Sequence, residues 1–347
     1  MIAKIAVLGA GVMGSEIAQT AAAGGVEVVL LDSDAAALER GVAHIAKIGS
    51  RRVERGRMGA DEAEAILGRV HATQDASDVA GCQLAIEAVP EVMDIKRTVF
   101  GVLDDALPAG AILASNTSGL SISELAAGTG RPERVVGLHF FNPASVMKLV
   151  EVIRGETTSE QTLADAEAFA SSLGKVPVRV KECPGFLVNR ILVRAMVEAY
   201  REASARGADL AAADAAVVQA GPAPMGAFAL GDLIGLDTMG HIQSDLHDAY
   251  GERFADGGMI AERVAAGRLG AKSGSGFFEG KAPAGEADEA GRAVAARYYE
   301  GALHEAHLCV DEQIAAADAV DTAMRFGCGW SQGPLAWDEA GRPTADG

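Results

Sequence analysis

The chain predicts an α/β architecture: a doubly wound, mainly parallel sheet over residues 1–183, followed by an all-α region. Three observations carry this expectation. Short apolar, β-rich runs alternate with longer helical patterns through the first half, the signature of βαβ units. A glycine-rich turn joins the first such run to the first helical pattern. At Cys183-Pro184-Gly185 the punctuation changes, and from Phe186 onward apolar residues recur at helical spacing with no convincing strand for about a hundred residues.

The expected strands, in chain order, are IAVLGA, EVVLLD, QLAIEAV, AILASN, VVGLHF and LVEVI. Several are almost wholly apolar, as strands covered by helices on both faces must be. Residues 184–280 form the helical domain. The stretch EGKAPAGEADEAGRA at 279–293 is small, acidic and holds Pro283, so it reads as a loosely held linker. Residues 281–347 then read as a diverged, truncated second helical repeat: at a constant offset Glu198-Ala199 aligns with Glu305-Ala306, Asp214 with Asp321, and Gly226 with Gly333. Chance matches between alanine-rich helices are the competing explanation.

A chain of 347 residues that is 49% hydrophobic can bury a large core. Its formal net charge of -18 argues against nucleic acid as a partner, because neutralising phosphates needs clustered Lys and Arg. Any polyanionic ligand must meet a local basic patch. The four cysteines, Cys82, Cys183, Cys309 and Cys328, form no Cys-x-x-Cys pair, so no metal site or redox dithiol is expected and a reducing cytoplasm fits. The apolar start breaks into glycines too early for a signal peptide, and no run approaches the ~20 apolar residues of a membrane span.

Gly9-Ala-Gly11-Val-Met-Gly14 follows the first strand and opens the first helix. Glycines there allow a tight turn and close approach of a pyrophosphate to a helix N-terminus, where unpaired N–H groups and the dipole favour an anion. Asp32 ends the next strand, where a carboxylate can hold an adenosine ribose diol and would repel a 2′-phosphate. Together these make the domain Rossmann-type and the cofactor NAD rather than NADP. Further on, VVGLHFFNPASVMKLVEVI at 135–153 reads as two strands joined by a loop containing Pro143, with His139 and Glu151 near the strands. Imidazole is suited to take a hydroxyl proton, and a carboxylate beside it would fix its tautomer. A histidine near a strand end is more often only a satisfied polar residue, so context must decide.

That context is a set of motifs: SNTSGL at 115–120, GLHFFNPASVMKLVEVI at 137–153, PGFLVNR at 184–190, PMG at 224–226, GLDT at 235–238 and KSGSGFF at 272–278. In order and spacing they resemble the 3-hydroxyacyl-CoA dehydrogenase family. The resemblance implies NAD-dependent, reversible oxidation of an L-3-hydroxyacyl-CoA to the 3-oxoacyl-CoA, as in fatty acid β-oxidation, with His139 and Glu151 as the general acid–base pair. It assigns Ser118 a contact to the reacting oxygen, Asn189 an orienting role, and Glu91, Lys96 and Asn142 places in the cofactor pocket. Taken alone, Ser118 is equally a turn hydroxyl, Asn189 a helix cap and Lys96 a solvated helix charge.

The acyl-CoA partner calls for a phosphate site, and the densest positive run, 47–57, offers Lys47, Arg51 and Arg52, although a solvated helix face explains most such runs. Two departures from the family pattern stand out. Glu16 replaces a small residue in the first helix, where it is expected to point outward, and Ala227 stands where Pro often follows PMG. Ala296 occupies the place of Asn189 in the second repeat, so that repeat is expected to be structural, packing on the first as a partner subunit would. The protein is then a homodimer, or a monomer with an internal pseudo-dimer. Two rival functions remain open at this point: a dehydrogenase of a free 3-hydroxy acid or sugar acid, and a catalytically silent NAD-binding protein.

Overall fold

The computed structural model describes residues 2–339 and divides the chain into two compact units, residues 1–182 and 183–347. The first is built on an eight-stranded sheet: β1 (Lys4–Leu8), β2 (Glu27–Leu31), β3 (Val70–Thr73), β4 (Leu84–Glu87), β5 (Ile112–Ser115), β6 (Val135–Phe140), β7 (Leu149–Arg154) and β8 (Val176–Lys181). Their spatial order is β3-β2-β1-β4-β5-β6-β7-β8, parallel throughout except for the antiparallel β6–β7 pair. Helices α1 (Val12–Ala23), α2 (Ala35–Glu54), α3 (Ala60–Gly68), α4 (Met93–Ala106), α5 (Ile122–Ala127) and α6 (Glu160–Ser172) make the connections. The apolar runs become the core: Ile5, Val7, Val28, Leu30, Leu84, Ile86, Val136 and Leu138 are essentially inaccessible, each contributing roughly 1.5–3 kcal/mol by burial.

Six of the eight strands are the expected runs. The other two lie at the sheet's edges, where the apolar signal thins. β3 is four residues long with His71 exposed, and β8 carries Pro177 and alternates buried with exposed residues. Proline is tolerated there because an edge strand need not donate on both sides.

The second unit is helical: α7 (Val188–Arg206), α8 (Leu210–Ala220), α9 (Ala227–Ile234), α10 (Leu236–Tyr250), α11 (Met259–Ala265), α12 (Glu289–Asp311), α13 (Ala317–Cys328) and α14 (Pro334–Glu339). The repeat is visible in its hydrogen bonds. Asp214 on α8 accepts from the first N–H groups of α9, at Phe228 (2.9 Å) and Ala229 (2.8 Å). Asp321 on α13 does the same for α14, at Leu335 and Ala336 (both 2.9 Å), each residue 107 positions later. Gly226 and Gly333 are glycine for one reason: a Cβ would lie 2.2–2.3 Å from the capping aspartate.

The copies meet by reciprocal contacts, as two halves of a self-complementary interface do. Pro222 accepts from Ser331 N–H (2.9 Å), while Gly329 and Pro224, the counterparts of Pro222 and Ser331, face each other, a Cβ at Gly329 falling 3.6 Å from the Pro224 ring. Fully buried Arg190 pairs with Glu305 (2.7 Å), and its counterpart Arg297 lies in the field of Glu198, the counterpart of Glu305. The linker reading of 279–293 is corrected. Asp288 caps α12, which already begins at Glu289, and Gly285 presses on the backbone of α8, where a Cβ would lie 2.2 Å from the Ala211 carbonyl. Small residues signal flexibility in sequence; here they permit close backbone contact.

Candidate active site

The glycine turn lies at the C-terminal end of β1. Gly9 takes φ +96°, which L side chains rarely adopt, and a Cβ there would collide with the Ala88 carbonyl at 2.7 Å. At Gly14 a Cβ would fall 1.8 Å from the Gly9 carbonyl, so only glycine lets α1 close onto the turn. Gly11 differs: nothing lies within 4 Å of its Cβ position, leaving open space before the α1 N-terminus where a pyrophosphate fits. Asp32, just beyond β2, is anchored to that turn by Ala10 N–H (2.7 Å to Oδ2). The turn, the open cradle and the acidic group together suit a dinucleotide.

Glu91, Lys96 and Ser118 come together in one network at the C-terminal ends of β4 and β5. Lys96 is 1% exposed, so it is not a solvated charge; its Nζ pairs with Glu87 (2.7 Å) and Glu91 (3.1 Å). Glu91 also accepts from Thr117 Oγ1 (2.6 Å), Ser118 N–H (2.8 Å) and Ser118 Oγ (3.1 Å). Burial pushes the Glu91 carboxyl up, but Lys96 and the Thr117 and Ser118 donors outweigh it and hold the pKa below its ordinary value. Sequence reading missed Glu87, which links Lys96 to Ser115 Oγ (2.6 Å), and Thr117. A fully buried Glu closing the otherwise apolar strand Leu84–Glu87 was the available signal.

His139 and Glu151 stand directly opposite each other in the antiparallel β6–β7 register. Cross-strand partners project on the same face, and Nδ1 meets Oε2 at 2.6 Å. His139 is 7% exposed and Glu151 fully buried, so the pair is shielded from water. The Phe141 ring packs 4.4 Å from the imidazole, and Phe140 N–H donates to Asn116 Oδ1 (2.8 Å), which steadies the strand end. With Glu151 accepting from Nδ1–H, Nε2 is the basic nitrogen of the ring.

A family model described as 3-hydroxyacyl-CoA dehydrogenase, NAD binding domain, matches residues 4–183, and a second, its C-terminal domain, matches 185–280. The chain belongs to the 3-hydroxyacyl-CoA dehydrogenase family. It is therefore an NAD-dependent oxidoreductase acting on 3-hydroxyacyl-CoA. It is 42% identical over 279 residues to a probable 3-hydroxybutyryl-CoA dehydrogenase of Bacillus subtilis, covering 80% of this chain and 97% of that one. Among solved structures, 3-hydroxybutyryl-CoA dehydrogenase from Escherichia coli superposes with TM-score 0.90 at 29% identity, over 98% of this chain and 92% of that one. (S)-3-hydroxybutyryl-CoA dehydrogenase from Ralstonia eutropha gives 0.78 at 37%, over 81% and 100%.

The remaining candidates lie on several elements of the chain. Asn142 is exposed in the β6–β7 loop, joined by a cis peptide to Pro143. Asn189 lies in the second unit within the first turn of α7, whose N-cap is Leu187, so it is not that helix's cap. Ala227 opens α9, where Pro would also fit a first helical position. The basic run divides. Lys47 and Arg51 lie exposed one turn apart on α2, while Arg52 turns inward and donates to the Ser145 carbonyl (3.0 Å). Glu16 does not point outward: it is 6% exposed and accepts from Ser145 N–H (3.1 Å) and Oγ (3.2 Å), with His44 Nε2 at 3.3 Å. The β6–β7 loop supplies donors that a small residue in its place would leave unmet.

Proposed function

We propose that His139 is the general base that removes the C3 hydroxyl proton of an L-3-hydroxyacyl-CoA, and the general acid in the reverse direction. The observation that carries this is the 2.6 Å contact between His139 Nδ1 and buried Glu151. Glu151 holds the ring in the Nδ1–H tautomer and stabilises the imidazolium formed when Nε2 takes the proton. Bound at the turn of Gly9, Gly11 and Gly14 and at Asp32, NAD supplies the hydride acceptor. Ser118, oriented by Glu91, donates to the reacting oxygen, and Asn189 supports the developing charge. Lys96 and Asn142 complete the cofactor pocket, and the exposed row of Lys47 and Arg51 meets the CoA phosphates, while Arg52 faces the other way, towards Ser145.

The substrate is a short-chain ester such as 3-hydroxybutyryl-CoA, the compound named for the relatives. The second helical repeat covers α7 as a partner subunit would, so the chain works as a single subunit. Buried thiols at Cys82 and Cys309 accord with a reducing cytoplasm.

The test is NADH oxidation with acetoacetyl-CoA beside free acetoacetate, for the wild type and His139→Ala. Turnover of the thioester, lost in the variant, is expected. Turnover of the free acid alone moves the enzyme to hydroxy-acid dehydrogenases, and NADH binding without turnover identifies a silent relative.

A further inference from the structure

A crevice of about 460 Å³ opens in the first unit between the later turns of α1, the end of α2, the β6–β7 loop and the turn from α6 into β8. Its lining includes Arg52, Lys148 and Lys175, together with Gln19, Thr20 and Ser145. Three cations face one cavity in a chain of formal charge -18. Among the described residues no carboxylate lies within 4.0 Å of any of them, whereas the more deeply buried Lys96, Arg131, Arg190 and Arg194 are each paired. Carbonyl oxygens hold two of them in place: Arg52 donates to Ser145, and Lys175 donates to Ala144 and Met147 (2.7 Å to Met147). Each keeps further N–H donors beyond those bonds.

Gln19 adds an independent sign. Its side chain is 1% exposed and lines the crevice, yet its Nε2 is buried with no acceptor. Buried amide donors are nearly always satisfied by protein or by ordered water, so this one takes its partner from water or from a ligand that enters the crevice. Glu16, whose charge reaches Lys175, is already committed to Ser145 and His44. Burial, and after it the Arg52 charge, lower the Lys175 pKa against the opposing pull of Glu16.

We propose that this crevice binds a phosphate-bearing small anion, held by Arg52, Lys148, Lys175 and Gln19. The planar guanidinium, two ammonium groups and an amide N–H make a donor-rich lining suited to phosphate oxygens, and the volume falls in the usual range of small-molecule sites, roughly 300–1,000 Å³. The site is separate from the dinucleotide turn, since Gln19 lies about two helical turns along α1 from Gly11. It also lies off the exposed Lys47 and Arg51 row of α2. The phosphate comes either from the CoA moiety of a substrate or from a free phosphorylated molecule.

Calorimetric titration of the full chain, saturated with NADH so that the dinucleotide turn is filled, with inorganic pyrophosphate tests this. Lys148→Glu changes an exposed residue of the crevice, and Lys181→Glu makes the same charge change at an exposed position outside it. Saturable binding that weakens tenfold or more in Lys148→Glu and is unchanged in Lys181→Glu is expected. No saturable binding, or equal weakening in both, overturns the proposal. Within a positive result, displacement by adenosine 3′,5′-bisphosphate with a raised KM for acetoacetyl-CoA in Lys148→Glu assigns the phosphate to CoA. An unchanged KM assigns it to a free ligand. Because the primary readout is binding, it stands or falls independently of turnover.

Discussion

At the scale of single residues, chemistry is concentrated where a charged side chain interrupts or closes an apolar strand. Glu151 sits in the middle of LVEVIR with no exposure, a costly place for a carboxylate unless its partner is fixed. Glu151→Gln keeps the shape but removes the charge that stabilises an imidazolium, so kcat for acetoacetyl-CoA reduction should fall about 10²–10⁴-fold with little change in the KM for NADH. Steady-state kinetics decide it, and an unaltered kcat would leave the carboxylate a structural role only. Glu16 works differently, tying the loop that carries Asn142 to α1. Glu16→Ala leaves Ser145 N–H unmet and should cost about 1–3 kcal/mol, whereas Glu16→Gln, which retains an acceptor, should cost less; denaturant midpoints of the two variants give the comparison. The sequence made His139 and Glu151 legible as residue types but could not supply their register, which depends on how many loop residues β6 and β7 each give up. Glu16 was misjudged because its acceptor role depends on Ser145, 129 positions away.

At the scale of elements, the repeat rests on two aspartates that cap helices across a loop. Burial raises the Asp214 pKa to about 6, against the opposing pull of the Phe228 and Ala229 N–H groups. A carboxyl whose folded pKa lies above its unfolded value holds its proton more tightly when folded. Its contribution is therefore full below about pH 4 and lost as pH rises through about 6. In Asp214→Asn that loss is absent. Comparing denaturant stabilities of the two proteins from pH 4 to pH 7, the difference should shift towards the variant by roughly 2–3 kcal/mol, on top of a constant offset for the lost second acceptor. A difference that does not change with pH would mean that the carboxyl ionises normally. Elements were legible in proportion to their burial: six apolar strands and the helical second half stood out in the sequence. β3 and β8 did not, because edge strands need neither continuous apolar faces nor freedom from proline.

At the scale of the whole molecule, the second repeat bears on how many chains are expected to make a working protein. The curated relatives are matched over 97–99% of their length by only 80% of this chain, which therefore carries α12–α14 beyond that match. Of these, α12 lies along α7 and α8 and α13 meets α7, with contacts that recur reciprocally at one constant offset, and two copies of one chain related by a twofold axis would make the same pattern. Arg190 is the sharpest case: it is fully buried and its charge is met by Glu305 and Glu312, both beyond residue 280. A chain ending at residue 280 would bury that guanidinium unpaired, or expose it with the apolar face of α7, and either is costly. Light scattering should therefore give about 35.5 kDa for the full chain, one subunit, independent of concentration. A version ending at residue 280 should self-associate, and Glu305→Gln in the full chain should lower stability by several kcal/mol without creating a dimer. A full-length dimer that dissociates on mutation of exposed α7 residues would mean that α12–α14 does not take the partner's place, and that the reciprocal contacts preserve only the ancestry of the repeat.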